Sequence, residues 1–242
     1  IYQPAAECAL RGLWMLAGVL DARALKIKKL SYQGTTGVGY GLVSFKVTRE
    51  DPRRSFVERY EMLERRAREE RRAAEDDYVR LARRAVETIV RTGKLPPVPA
   101  ELPEEMAGRA GVYVTLTRDG APRGTYGTFE PSAKSIADEI TRNAAHAARN
   151  DTHVAPVTEE ELDTLDITVD VLSEPELVGG ADALDPKTYG IIAESRGHKD
   201  VMLPAAPGTE TAEEQLRAAR KKGGIPEDAE IRIWRFTSER HA

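Results

Sequence analysis

Pro122-Arg123-Gly124-Thr125-Tyr126-Gly127-Thr128-Phe129-Glu130-Pro131 follows Asp119-Gly120, and that order decides how the middle of the chain is read. Asp-Gly is a two-residue hairpin signal, because a type I′ turn needs positive φ at both central positions. Just before it, Val112, Val114 and Leu116 alternate with Tyr113 and Thr115, the period of a half-buried strand. The decapeptide is therefore the returning strand of a hairpin. Its two closely spaced glycines mean either that φ is positive or that something approaches the backbone closely.

Working outward, the same mixture of elements recurs over residues 75–242. Glu75-Asp76-Asp77 places acid at a helix start, where the helix dipole favours it. Tyr78, Leu81, Ala82, Ala85 and Ile89 form one apolar helical face, stopped by Gly93 and Pro96-Pro97. Ser132 to Asn150 is a second amphipathic helix, and Thr158 with Glu161 makes a capping-box pattern. Ile167, Val169 and Val171 predict a strand. Tyr189 to Ala193 and Asp200 to Leu203 predict a hairpin around Arg196-Gly197. Thr211 to Lys222 reads as a helix, and Ile231 to Phe236 as the final strand, which leaves His241 in a terminal tail. Hairpins mixed with helices predict an α+β domain of antiparallel or mixed sheet with flanking helices, not a doubly wound parallel sheet.

Residues 1–47 read differently. Ala5 to Leu20 carries Cys8, Leu13, Trp14, Leu16 and Leu20 at helical spacings. Leu25 to Tyr32 predicts one strand and Val38 to Val47 a second, largely buried one. A helix and two strands cannot bury both faces alone, so this segment is expected to be the end of a larger α/β domain. The start at Ile1, without Met or a basic-then-apolar leader, carries the same expectation of a missing upstream part. Residues 48–74 are dominated by Arg and Glu. Their interleaving predicts a solvated helical linker rather than a basic arm for RNA.

Composition bounds the function. Among 242 residues 31% are charged, and the net charge is −4, so no global field attracts nucleic acid. The single cysteine, Cys8, excludes an internal disulfide framework and fits a reducing compartment. No apolar run approaches the roughly 20 residues that span a bilayer. A soluble, cytoplasmic protein is expected.

Candidate chemistry concentrates in the decapeptide. Arg123 can fork two donors onto a carboxylate or phosphate. Gly124 and Gly127 would let a ligand reach backbone amides. Thr125 and Thr128 offer hydroxyls beside Tyr126, and Glu130 would act as a base or pair with Arg123. An enzyme centred on Thr125, Glu130 and Arg123, with the carboxylate as base, has one geometric weakness, since positions 125 and 130 face opposite sides of an ideal strand. The bland alternative is a tight edge strand whose glycines relieve crowding. Among the histidines, His146 reads as a helix-surface residue, and His153, after Asn150-Asp151-Thr152, has a binding-loop position. No two histidines have the spacing of a local metal site. Gly37-Val38-Gly39-Tyr40-Gly41 precedes a strand rather than a helix, which argues against a phosphate loop.

The segment from Gly111 to Leu116, the Asp119-Gly120 turn and the decapeptide resemble the AMMECR family, whose prokaryotic members are called AmmeMemoRadiSam system protein A. The family signature L-R-G-C-I-G stands here as Pro122-Arg123-Gly124-Thr125-Tyr126-Gly127. The likeness continues through Ile136 to Ile140, Asn143-Ala144, Pro156-Val157-Thr158, Ile167 to Leu172, Leu184-Asp185-Pro186, Met202-Leu203-Pro204 and Gly224-Ile225-Pro226. The resemblance implies an accessory or substrate-binding module acting with a Memo-like protein and a radical-SAM enzyme, in RNA or nucleotide modification. It implies no cofactor in this domain, no membrane, and RNA or an anionic small molecule as ligand. Arg123, Gly124, Gly127 and Asp151 carry over. Thr125 replaces the family cysteine, so a thiol mechanism does not, and Asp151-Thr152-His153-Val154 departs from the family's D-P-R-F. Residues 1–47 resemble the end of Memo-like proteins and subunit-B-type class III extradiol dioxygenases through Glu7-Cys8-Ala9, Leu30-Ser31-Tyr32 and Val38 to Gly41. That likeness implies a divalent metal, iron, in the upstream domain, with Cys8 as a remnant ligand. Ring cleavage would then belong to the upstream region.

Overall fold

The structure, a computed structural model, describes residues 10–35, 38–151, 154–195 and 197–242. The chain divides into two compact units, residues 1–73 and 74–242. Cys8 and the first residues of the helix expected from Ala5 lie outside the described residues, as do Thr152, His153 and Arg196.

In the first unit, helix α1 (Leu10–Val19) precedes a long antiparallel hairpin of β1 (Arg23–Thr35) and β2 (Val38–Glu50). Arg54 donates to the Arg23 carbonyl at 2.7 Å, tying the chain after β2 back to the start of β1. Helix α2 (Phe56–Ala74) follows with exposed pairs such as Arg66 with Glu70. The expected burial of β2 is corrected: Leu42 is 57% exposed and Val47 48% exposed. The strand is as apolar as read, but among the described residues no second layer covers the two-stranded hairpin.

The second unit starts with α3 (Asp77–Thr92). Asp76 caps it by accepting the Val79 N–H at 3.0 Å, and Gly93, at φ 71°, ends it. The hairpin β3 (Val112–Arg118) and β4 (Ala121–Thr128) closes through Asp119 and Gly120 at φ 51° and 76°. Helix α4 (Ile136–Arg149) and strand β5 (Leu165–Leu172) come next. A second antiparallel sheet is built from β6 (Glu176–Val178), β7 (Gly190–Ser195), β8 (His198–Met202) and β9 (Arg232–Phe236), with α5 (Ala212–Lys222) inserted after β8. Strand β10 (Ser238–His241) returns to the first sheet.

The sheet orders are β10-β5-β3-β4 and β6-β9-β7-β8, all pairings antiparallel, so the expected α+β class holds. Period-two burial drives the first sheet. Val112, Val114 and Leu116 share a core with Ile167 and Val169, and α3 and α4 cover it through Val79, Val86, Ile140 and Ala144. In the second sheet Ile191 and Ala193 pack with Ala219 of α5, while Ile192, Val201 and Phe236 pack with Leu172 of β5. This leaves β4 as an edge of the first sheet.

Strand β10 was not expected, and His241 is not in a tail. Its side chain is 11% exposed, its Nδ1 lies 2.6 Å from Asp76 Oδ2, and its ring stacks on Tyr78 with centroids 3.8 Å apart. Arg240 anchors the same strand through two bonds, 2.9 and 3.1 Å, to the fully buried Asp170. Polar side chains hold the strand, so no apolar alternation marks it.

Candidate functional site

The glycines of β4 are required by packing from inside the protein. A Cβ on Gly124 would collide with the Ala147 carbonyl oxygen of α4, and one on Gly127 would enter the Tyr113 ring. Neither glycine has positive φ. The close approach inferred from the sequence exists, but the approaching groups are α4 and Tyr113.

Arg123 is tied to its own fold. Its guanidinium donates to both Glu161 oxygens, Nε to Oε1 at 2.7 Å and Nη2 to Oε2 at 2.8 Å. It also donates to the carbonyls of Ala155 at 2.8 Å and Pro156 at 3.1 Å. The two side chains are 16% and 14% exposed. Glu161 Oε2 also accepts the Thr158 N–H at 2.9 Å, as the capping-box pattern requires, and Oε1 accepts from Arg118 at 3.2 Å. The hydrogen bond from Arg123 holds the Glu161 carboxyl at a pKa of about 2, against the opposing effect of burial. The same hydrogen bond raises the pKa of Arg123. The alternative in which Glu130 pairs with Arg123 is corrected: Arg123 is held by the capping glutamate, and Glu130 pairs with Lys199.

Glu130 lies elsewhere. Its carboxylate is 73% exposed and accepts from Lys199 of β8 at 2.9 Å. Thr125 is exposed, and its backbone N–H donates to Asp151 Oδ2 at 2.8 Å. No hydrogen bond joins Thr125 to Glu130, so the structure does not assemble the nucleophile and base considered above. Thr128 faces inward and donates from Oγ1 to Glu139 Oε1 at 2.5 Å, while accepting from Asn143 Nδ2 at 3.1 Å. Glu139, 1% exposed, also accepts from Ser132 Oγ at 2.8 Å and N–H at 3.0 Å, and from the Ala133 N–H at 2.6 Å. Burial pushes its pKa up, but these donors outweigh burial and lower it. Glu139 is thus a structural carboxylate that staples the decapeptide to α4.

Tyr126 and Asp151, both candidates from the sequence, have contacts that the sequence did not show. Tyr126, 37% exposed, stacks on His146 with centroids 4.6 Å apart and planes 26° from parallel. His146 is therefore half-buried against β4 rather than a plain helix-surface residue. Asp151 reaches from the end of α4 to the β4 edge. The spacing of Tyr126 and His146 in sequence carries no signal, since only the packing of α4 on β4 brings them together. His153 lies outside the described residues, as does Cys8. Among the described residues no group of three His, Cys, Asp or Glu side chains is placed to hold a metal. No helix among them is long and apolar enough to cross a membrane.

Comparison with known proteins places these features. The AMMECR1 family model matches residues 79–241. A Thermotoga maritima protein is 44% identical over 170 residues, which cover 69% of this chain and 98% of that protein. Protein CA_C1420 of Clostridium acetobutylicum is 37% identical over 239 residues, 98% of this chain, and this chain spans half of its length. The crystal structure of the uncharacterized protein PH0010 from Pyrococcus horikoshii superposes with a TM-score of 0.62 at 31% identity, covering 67% of this chain and 88% of that one.

Proposed function

The chain belongs to the AMMECR1 family, and on that premise we propose that its second unit is an accessory, substrate-holding module. It acts in the cytoplasm beside a Memo-like protein and a radical-SAM enzyme, in RNA or nucleotide modification, and those partners supply the chemistry. The observation that carries this reading is the division of labour along β4. Arg123, Gly124, Gly127 and Thr128 fix the strand from within, against Glu161, Ala147, Tyr113 and Glu139. Thr125 and Tyr126 remain exposed on an edge strand, and the outward Thr125 amide meets the Asp151 carboxylate. A rigid edge presenting mixed polar and aromatic groups is suited to holding a partner or substrate.

The first unit fits the same setting as the closing segment of a Memo-like or dioxygenase-like domain, whose iron would lie upstream. Support comes from the exposed apolar side chains of its hairpin and helix, among them Trp14, Leu42 and Phe45. The Clostridium relative, twice as long, aligns across this unit as well.

The test is co-purification of the full chain with the purified Memo-like and radical-SAM proteins of its source organism, with bound RNA sequenced. A complex that forms with the wild type and is weakened by Thr125→Arg, at unchanged melting temperature, supports the reading. No complex, or one indifferent to that substitution, contradicts it.

A further inference from the structure

Two grooves along α3 are lined by arginines with acidic neighbours. Arg80 lies 3.1 Å from Asp77, Arg83 is gripped by Glu75, and Arg91 is 3.4 Å from both Glu87 and Glu159. Arg84 faces both grooves, but each also holds acidic side chains. A third depression differs. Between the C-terminal ends of α3 and α4 lies a cavity of about 350 Å³, lined by Ile89, Gly93, Leu95, Arg142, His146 and Arg149 and by no carboxylate. Arg149 donates from Nη2 to the carbonyls of Ile89 at 3.0 Å and Val90 at 3.4 Å, fixing one wall to the last turn of α3. Arg142 is exposed and has no ion-pair partner among the described residues. His146 forms another wall, and Tyr126 backs its ring from β4.

We propose that this cavity binds a planar aromatic anion. The ring lies against the His146 imidazole and the apolar Ile89 and Leu95, and its phosphate or carboxylate is received by Arg142. Three arguments converge. The volume lies at the small end of ligand pockets, about 300–1,000 Å³, and the lining has their composition, an apolar floor with few convergent polar groups. An imidazole held flat by a stacked phenol presents a fixed face to a third ring. The sign of the charge also decides. Each of the two helix C-termini contributes at most about −0.5 of an elementary charge, whereas the two guanidiniums contribute a full positive charge each, so the cavity is net positive. Tyr126 is a positioning residue here, since it acts through His146. The proposal rests on the substrate-holding reading only for its place beside the exposed strand, and its chemistry stands on the cavity.

Calorimetric titration of the full chain tests it, with uridine 5′-monophosphate, uridine, ribose 5-phosphate and 4-hydroxybenzoate as probes. Uridine monophosphate is expected to bind at least about tenfold more tightly than uridine or ribose 5-phosphate, since each lacks one half of the recognition. Arg142→Ala should reduce that affinity about tenfold and leave uridine unchanged. His146→Ala should weaken all three aromatic probes and leave ribose 5-phosphate unchanged, while Arg217→Ala on α5 changes nothing. Melting curves of each variant confirm the fold. Tighter binding of 4-hydroxybenzoate than of uridine monophosphate, with the same response to Arg142→Ala, supports the site and assigns its anion to the carboxylates. No binding of either aromatic anion, or binding indifferent to both Arg142→Ala and His146→Ala, overturns the proposal. Formation of the complex with the partner proteins, together with no binding of either aromatic anion, defeats this site alone. Ring-anion binding without any such complex leaves the site standing and defeats the accessory reading.

Discussion

Replacing Arg123 by alanine should cost stability before it costs any contact with a ligand. The substitution removes four charge-assisted hydrogen bonds, two of them to the Glu161 carboxylate, from a guanidinium only 16% exposed. It leaves Glu161 with Arg118 and the Thr158 amide, and strands two loop carbonyls. Breaking a fully buried pair from one side costs about 3–5 kcal/mol. Partial access to water and the surviving Arg118 contact bring the expected loss to roughly 2–4 kcal/mol. For a unit of this size that lowers Tm by roughly 4–16 °C. Glu161→Gln keeps the carbonyl contacts of Arg123 and should lose less, and the double variant should show a coupling of about 1–3 kcal/mol. The pH dependence has a definite sign. The folded pKa of Glu161, about 2, lies below its ordinary 4.5, so its contribution is complete above about pH 5 and is lost as pH falls through that interval. Glu161→Gln should lack that part of the acid profile. Calorimetric unfolding between pH 2 and pH 7 reads all three effects. An Arg123→Ala protein with unchanged Tm that nevertheless fails to bind the proposed partners would refute the reasoning and return Arg123 to the ligand-contacting surface.

Other expectations follow from the same strand and its supports. Gly124→Ala drives a methyl into the Ala147 carbonyl and should destabilise by about 2–3 kcal/mol, visible as a lower urea midpoint at unchanged slope. Glu139→Gln aims an amide at a carboxylate site built of four donors and should cost about 2–4 kcal/mol near neutral pH. Because the Glu139 pKa is lowered, that deficit should shrink as pH falls below the usual carboxylate range. His241→Ala removes the Asp76 contact and the Tyr78 stack and should cost about 1–2 kcal/mol in thermal melts. Burial pushes Asp76 up, but the Val79 amide and His241 lower it on balance, so an NMR titration of the His241→Ala protein should find its pKa raised.

Local signals were legible in the sequence and long-range polar ones were not. Asp119-Gly120 with flanking alternation specified the β3–β4 hairpin, because turn chemistry and period are properties of adjacent residues. Thr158 and Glu161 were readable as a capping box for the same reason. The second role of Glu161 was not, since its partner Arg123 is 38 positions away and only the fold brings them together. The glycines were correctly read as a close approach, yet sequence could not say whether a ligand or a helix was approaching. Strand β10 escaped because Ser238-Glu239-Arg240-His241 has no apolar residue, and its anchors, Asp170 and Asp76, lie in distant elements. The Tyr126–His146 stack was hidden likewise. Charge and aromatic pairing across elements leave no periodicity to read.

The central claim is that the exposed side of β4, with the adjoining end of α4, is the contacting surface of this module. Hydrogen–deuterium exchange of the full chain, with and without the purified Memo-like and radical-SAM proteins and the RNA proposed as its partners, measures that surface. The account predicts added protection in peptides covering 124–128 and 142–151, with the β7–β8 hairpin unchanged. Protection confined to the second sheet, or none in the presence of a formed complex, would contradict it.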